Sequence, residues 1–391
     1  MGGLRLLTAG ESHGPELVAI LEGVPAGLCV LASSVNAHLR RRQKGYGRGG
    51  RMKIEHDEIS LRGGVRGGET LGSPIAIVVV NRDFASWEKR MGAAPFEEVP
   101  EPLVRARPGH VDLAGGLKYD RRDLRDVLER ASARETAVRV AAGSVARLLL
   151  EALGVRVVGN VASIGPVETD LGAFSWEERC RAADDADLRC PDAAAQDRMK
   201  DAIRQAAHAG DTLGGVFEVV AQGVPPGLGS HVQADRKIDG RLAGALMAIP
   251  AIKGVEIGLG FEASRRTGSA VHDPIGWEPD PAGGGRFVRP TNHAGGTEGG
   301  ITNGEPVVVR AAMKPISTLK RALRSVDVRT KEAVDAAHER SDVCAVAAAS
   351  VVGEAAVCLV LADAVLEKFG GDSMKELLRN VDGYRAQIRS W

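Results

Sequence analysis

Aromatic residues make up only 4% of the 391-residue chain, too few for the stacking platform on which single-stranded nucleic acid is bound. Net charge is absent as well. With 51 lysines and arginines against 51 aspartates and glutamates, no overall field draws the chain to nucleic acid or to an anionic membrane. The five cysteines, Cys29, Cys180, Cys190, Cys344 and Cys358, include no C-x-x-C pair, which argues against a disulfide framework and a zinc site and fits a reducing cytoplasm. The N-terminus lacks the apolar core of a signal peptide, and Leu6 stands where a myristoylation motif needs Ser or Thr. The longest apolar run, Val343 to Leu366, is interrupted by Glu354 and Asp363 and reads as a core helix rather than a membrane span.

Glycine, by contrast, is abundant, at 49 of 391 residues against a usual 7% or so, and 44% apolar residues suffice for a substantial core. The densest local feature is Arg40 to Arg51, RRRQKGYGRGGR, twelve residues with six cations, four glycines and no acid. Such a run suits small polyanions: glycines let backbone N–H groups approach, and guanidinium forks match carboxylate and phosphate oxygens. A solvated cationic face is the plainer reading of the same run. Gly45, Gly47 and Gly50 also fit G-x-G-x-x-G, but the lead-in SVNAHLRRRQK is polar and helix-like rather than a strand, so a dinucleotide fold is rejected.

In chain order, residues 4–9 read as a short strand stopping at Gly10-Glu11-Ser12-His13-Gly14. That turn either presents His13 to a cleft or uses Ser12 to cap a helix starting near Pro15. Leu17 to Val30 reads as a hairpin pivoting on Gly23 to Gly27, Met52 to Ile59 as a strand, and Thr70 to Asn81 as a buried strand. TLGGVFEVVA at Thr212 repeats the TLGSPIAIVVVN pattern at Thr70, and GVPPGL at Gly223 echoes GVPAGL at Gly23. Two similar halves sharing one core are expected.

Arg105 to His110, RARPGH, places an imidazole beside two arginines, a setting for a lowered pKa and proton relay, or else a surface turn. The apolar stripe from Leu124 to Leu153 predicts a core-facing helix. Ser132 and Glu135 form S-x-x-E, so either the helix restarts at Ala133 with Arg134 seating a phosphate, or it runs unbroken with Arg134 paired to a glutamate. Residues 170–209 read as a polar surface segment with one helix between Asp192 and Gly210. Further on come AIPAIKGVEIGLGF from Ala248, a proline and glycine loop from His272 to Pro290, and a glycine-rich stretch before a strand at Pro306 to Ala312. Lys314 to Thr318 would suit a second phosphate-bearing ligand, or a strand-edge turn. Asp342 either caps the helix ending at Phe369 or reaches a ligand.

Taken together, GESHG, RRRQKGYGRGGRM, RPGHVD, ERASARETAVRVAAG, IPAIKGVEIG, NHAGGTEGGITNGEP, AAMKPIST and RSDVCAV stand in one order along one chain. In this the chain resembles chorismate synthases, from about Leu4 to Gly371. The resemblance implies an α+β fold, a β-α-β sandwich with helices between antiparallel sheets, as a single domain over residues 1–391, in a homotetramer. It also implies a phosphate lyase of the shikimate pathway. Such an enzyme converts 5-enolpyruvylshikimate 3-phosphate to chorismate by 1,4-anti elimination, with reduced FMN and no net redox change.

By the same resemblance, His13 would protonate the departing phosphate, His110 would protonate or stabilise the reduced flavin, and Asp342 would assist proton movement at flavin N5. FMN contacts would fall on Ser132, Ala133, Arg134, Pro250, Ala251, Gly299, Lys314, Pro315, Ile316, Ser317, Thr318 and Arg340. Arg42 and Arg48 match positions associated with NADP, but their setting favours substrate anions, with Arg51 and Arg107 beside them; NADPH enters only as a flavin reductant. No metal, nucleic acid or membrane is implied. Ala347, Val111 and Leu113 depart from the family pattern without removing a charged group. Two other readings are an FMN oxidoreductase consuming NADPH and a non-catalytic binder of phosphorylated or nucleic-acid ligands.

Overall fold

The computed structural model describes residues 3–49, 56–279, 284–337, 339 and 341–391. Strand β1 (Arg5–Ala9) alternates exposed and half-buried side chains, β2 (Glu16–Glu22) half-buried and buried ones, and the two pair antiparallel. Helix α1 (Ala32–Gln43) follows, burying Val35, Leu39 and Arg42. A helix therefore leads into the glycine–arginine run, which confirms that no dinucleotide-type strand does. Strand β3 (Ile59–Gly63) and the apolar strand β4 (Ile75–Val80) complete a four-stranded antiparallel sheet in the order β1-β2-β4-β3. The strand expected from Met52 begins only at Ile59 among the described residues. The expected hairpin over Leu17 to Val30 is absent: after Gly27 the chain bridges Glu69 through Cys29 instead of folding back on β2.

Helices α2 (Asp112–Tyr119), α3 (Arg125–Leu128) and α4 (Thr136–Ala152) come next. The apolar stripe from Leu124 is thus broken, and Ser132 caps the restart by accepting from Arg134 N–H at 3.3 Å. Glu135 does not close the box but pairs with Arg139 one turn on. Strand β5 (Arg156–Ile164) opens the second half. Residues 170–209 hold two helices rather than one: α5 (Trp176–Asp185), with a complete Ser175–Glu178 capping box, and α6 (Ala193–His208), capped by Asp192. Their inner faces are not solvated, since Ala182, Ala195, Met199 and Ile203 are buried.

Strand β6 (Gly215–Gln222), helix α7 (Ile238–Met247) and strand β7 (Ile252–Ile257) follow. Strands β8 (Gly276–Pro279) and β9 (Gly285–Val288) pair as a hairpin where a loop was expected. Strand β10 (Val307–Met313) completes a sheet in the order β7-β10-β6-β5, extended by Val167–Glu168. Helices α8 (Val346–Phe369) and α9 (Met374–Arg389) close the chain. Helix α8 is the one described helix long and apolar enough to cross a membrane, but it lies buried against α4, β5 and β6, while α4 packs on β2 and β4. The helices thus form a layer between two antiparallel sheets, around one contiguous core that includes Leu17, Val79, Phe217, Val309 and Leu361.

The two sheets repeat each other, although not in the register that the TLG motifs suggest. Thr70 Oγ1 accepts from Leu28 N–H at 2.9 Å and donates to Pro25 O at 2.6 Å. Thr302 Oγ1 accepts from Leu228 N–H at 2.8 Å and donates to Pro225 O at 2.8 Å. The structural partner of Thr70 is therefore Thr302, not Thr212, and β4 corresponds to β10 while β2 corresponds to β6. Each threonine pins a G-V-P-x-G-L turn to the strand of its own half. Thr70→Val and Thr302→Val strand the buried Leu28 and Leu228 N–H groups, so each is expected to lower stability by about 1–3 kcal/mol. Comparable falls in the urea midpoint check the equivalence.

Candidate active site

His13 sits where β1 ends. Gly10, at φ +102° and so close to Glu16 O that a Cβ would clash, lets the chain reverse directly into β2. Ser12 consequently caps no helix, since β2 begins at Glu16. The turn is held from outside. Asn81, at the end of β4, donates through Nδ2 to Gly14 O at 2.7 Å and Glu11 O at 3.1 Å. His13 Nδ1 lies 2.9 and 3.0 Å from the two oxygens of Glu129, whose side chain is fully buried, and His13 N–H donates to Glu129 Oε2 at 2.9 Å. Trp87 stacks on the imidazole with centroids 4.0 Å apart, and the Arg125 guanidinium lies 5.0 Å from the Trp87 ring.

Asn81 also joins this turn to the arginines. It accepts from Arg134 Nε at 2.9 Å, and Arg134 Nη1 pairs with Asp57. The other oxygen of Asp57 is 3.2 Å from Arg42 Nη1, and Arg42 Nε donates to Thr136 Oγ1 at 2.9 Å. Arg134 thus has two of its donors engaged within the protein, Nη1 by an aspartate 77 residues away and Nε by Asn81. Burial lowers Arg42 to about 10 against the pull of Asp57, and it stays a cation at neutral pH. Ala133 O, on the same restarted turn, accepts from Arg42 Nη2 at 2.9 Å.

Arg42 in turn feels the charges of Arg48 and Asp342. Arg48 Nε lies 3.2 Å from Asp342 Oδ2, and Asp342 Oδ1 accepts from Gly49 N–H at 2.6 Å. Asp342 thus ties the glycine–arginine run to the approach to α8 and does not cap that helix, whose N-cap is Ala345. Its neighbour Ser341 donates to Thr318 O at 3.0 Å, and Thr318 Oγ1 accepts from Arg107 Nη1 at 3.0 Å.

Arg107 belongs to the second imidazole. Its Nε is 2.8 Å from Asp112 Oδ2, and His110 Nδ1 is 2.5 Å from Asp112 Oδ1. The wholly cationic setting expected for His110 is therefore corrected: Arg107 Nη2 does lie 3.1 Å from His110 Nδ1, but a buried carboxylate oxygen of Asp112 meets both groups, and the main chain of Arg105 pairs with that of Asp327. Burial alone would raise the Asp112 carboxyl, but hydrogen bonds from His110 and Arg107 hold it well below the usual carboxylate range. Lys314 Nζ donates to Gly109 O, and Lys314 N–H to Ala251 O at 3.0 Å, beside Pro250. Ile316 O accepts from Thr212 Oγ1 at 2.7 Å, so the Lys314-Pro315-Ile316-Ser317-Thr318 segment is held at both ends. Gly109 has φ +76°, and a Cβ there would stand 3.5 Å from Lys314 Nζ and 3.6 Å from Ser317 Cβ, a small cradle that glycine leaves open.

Two polar networks result. One runs from the His13 turn through Asn81, Arg134 and Asp57 to Arg42. The other runs from Arg48 through Asp342, Ser341, Thr318 and Arg107 to His110, and the charges of Arg48 and Asp342 act on Arg42 between them. Gly299 is not brought into either: it lies in the short hairpin next to the start of α7. Arg51 and Arg340 lie outside the described residues. Sequence reasoning missed Asp57, Asn81, Trp87, Asp112, Glu129 and Thr136. Of these, Asp112 stood in RPGHVD, Glu129 and Thr136 in ERASARETAVRVAAG and Asn81 at the end of TLGSPIAIVVVN, whereas Asp57 and Trp87 stood in no motif singled out. A cavity of about 1050 Å³ lies to one side, lined by Phe96, Val99, Pro102, Val111 and Val127; of the groups around His13 it touches Glu11, Arg125 and Glu129 but none of the expected site residues.

Two imidazoles, each with a carboxylate on Nδ1, set among buried arginines on a duplicated α+β sandwich define a class: an α+β fold that carries a cation-rich polar site. The chorismate synthase family model matches residues 4–366, and the chain belongs to that family. Curated chorismate synthases from Geobacter sulfurreducens and Pelobacter propionicus are 55% and 56% identical, aligned over 99% of this chain and 100% of each relative. The Aquifex aeolicus chorismate synthase is 54% identical over 99% of both chains. A crystal structure of a chorismate synthase superposes with a TM-score of 0.80 at 46% identity, covering 100% of this chain and 99% of that one. The chain is accordingly a carbon–oxygen lyase of the α+β type.

Proposed function

We propose that the chain converts 5-enolpyruvylshikimate 3-phosphate to chorismate by 1,4-anti elimination of phosphate, with reduced FMN bound and no net redox change. The observation that carries this reading is the pairing of both imidazoles with carboxylates beside Arg42, Arg48, Arg107 and Arg134. A substrate with two carboxylates and a phosphate needs several guanidinium groups to hold it and an acid to release the phosphate.

The Lys314 ammonium, the Ser317 and Thr318 hydroxyls and the cradle at Gly109 form a donor set that fits a phosphate-bearing cofactor. With Ser132, Ala133, Arg134, Pro250, Ala251, Gly299, Pro315, Ile316 and Arg340 they would hold FMN. When bound in the reduced state, that group would supply electron density to the substrate. The arginines orient the substrate and offset its charge, with Arg51 among them. His13 gives a proton to the leaving phosphate oxygen, His110 keeps a proton available at the flavin, and Asp342 serves proton movement near it. NADPH acts at most as a reductant of the flavin. The same reading places the protein in the cytoplasm, in keeping with five free cysteines, and in a homotetramer, to which exposed apolar residues such as Leu117 and Tyr119 offer contact area.

Anaerobic assay with photoreduced FMN and no nicotinamide, following chorismate absorbance, is expected to show sustained turnover. Absence of product with both ligands present would overturn the reading.

A further inference from the structure

Behind His13 lies a second layer of side chains. Glu129 accepts from His13 Nδ1, from His13 N–H and from Arg125 Nη1 at 2.9 Å. Arg125 is itself anchored by Glu339 at 3.2 Å and lies over Trp87, which stacks on the imidazole. The charged group that meets His13 is thus Glu129, with Arg125 behind it, while Glu11 Oε2 stands beside Gly14 on the same turn.

We propose that Glu129 is a positioning residue for His13, fixing its Nδ1–H tautomer and stabilising its cationic form, with Trp87 holding the ring plane. The geometry is that of a carboxylate–imidazole pair in which the buried acid never gives up its charge. It leaves Nε2 as the nitrogen that faces the reaction. Burial would raise the Glu129 carboxyl, but hydrogen bonds from His13 and Arg125 lower it, so it stays an acceptor throughout. On the function proposed above, the proton on Nε2 passes to the phosphate oxygen as the C–O bond breaks. The C–O bonding pair leaves with phosphate, the C6–H pair becomes part of the new diene as that hydrogen departs as a proton to a base on the opposite face, and a neutral imidazole remains, still donating Nδ1–H to Glu129.

The inference rests on that reading for the identity of the proton acceptor, but not for the state of the imidazole. The test therefore uses two readouts on wild type, E129Q, E129D and W87F. The first is the pH profile of kcat for chorismate formation. E129Q is expected to lower kcat by about 10²-fold with KM changed less than about threefold, and to move the limb that falls at high pH down by about one unit. E129D, which restores charge with shorter reach, should bring that limb back while kcat stays reduced, and W87F should lower kcat without moving it. The second readout needs no substrate: the pH dependence of carbethoxylation at His13, mapped by mass spectrometry, should shift to lower pH in E129Q. If wild type does not form chorismate but the carbethoxylation profile shifts, the function fails and the positioning role stands. An unmoved profile in E129Q would overturn the proposal, as would a matching loss in E129D and E129Q with no shift in either.

Discussion

Replacing His13 by alanine is expected to lower kcat by about 10²- to 10⁴-fold, the range for removal of a positioned general acid, with KM for the substrate little changed. The imidazole meets the fold only through Glu129 and the face of Trp87, and the main-chain N–H of residue 13 still donates to the same carboxylate in the variant. The unfolding midpoint should consequently stay near that of the wild type. Steady-state kinetics under anaerobic conditions with reduced FMN provide the check. A loss below about threefold would remove His13 from the chemistry and leave it as a group that merely packs on Trp87.

A comparably large effect, but on stability, is expected at Glu354. This residue lies in the middle of α8, 1% exposed, where an apolar side chain would satisfy the helix pattern. Its carboxylate accepts from Arg41 at 2.7 and 3.1 Å, from Arg147 at 2.5 Å, from Arg189, and from Gly159 N–H at 2.8 Å. Burial opposes its ionisation, but the three guanidinium groups hold it well below the usual carboxylate range. The same surroundings, burial first and then Arg147 and Arg41, lower His38 to about 3, which leaves it a neutral ring able to accept from Arg41 at 3.2 Å. Glu354→Ala leaves three cations buried around one empty position, and breaking buried pairs of this kind costs about 3–5 kcal/mol. Urea unfolding at neutral pH should show that loss.

The pH dependence follows from the sign of the shift. A carboxyl whose folded pKa is depressed contributes stability that is complete above its unfolded value and disappears as pH falls through the folded value. The gap between wild type and E354A should therefore be constant at neutral pH, begin to close below about pH 4.5, and shrink further as the medium becomes more acidic. Because Arg41 and Arg42 are neighbours on the last turn of α1, the cluster also fixes the end of the helix from which the glycine–arginine run departs.

Much of this architecture can be read from local pattern. The β-branched run at Ile75–Val80, the caps at Ser132 and Asp192 and the apolar helix ending at Phe369 are all found, because each is decided by residues a few positions apart. The cations of the site were legible for the same reason, since glycine and arginine cluster in one short stretch. Their acids were not. Asp57 reaches Arg134 across 77 residues and Glu129 reaches His13 across 116, and neither pairing leaves a periodic trace in the sequence. The site is consequently less cationic than the run from Arg40 suggests, with an aspartate against Arg42 and Arg134, another against Arg48 and a third against Arg107.

The errors have similar causes. Alternation from Leu17 to Val30 is equally compatible with a hairpin and with one strand followed by a turn; partners β1 and β4 on either side of β2 decide for the second. The duplication was visible in G-V-P-x-G-L, where the turn geometry demands it. It was misregistered at T-L-G, since what matters is the threonine hydroxyl that reaches that turn, and Thr302 lacks the flanking residues that Thr212 shares with Thr70.

The central claim is that these side chains run an elimination in which electrons return to where they began. Its most direct measurement is the stoichiometry of the anaerobic assay described above: chorismate and phosphate formed per reduced FMN, with the flavin spectrum recorded throughout. The expected result is one phosphate per chorismate, many of each per flavin, and a flavin that is still reduced when substrate is exhausted. One product per flavin, with oxidised FMN accumulating in step, would contradict it.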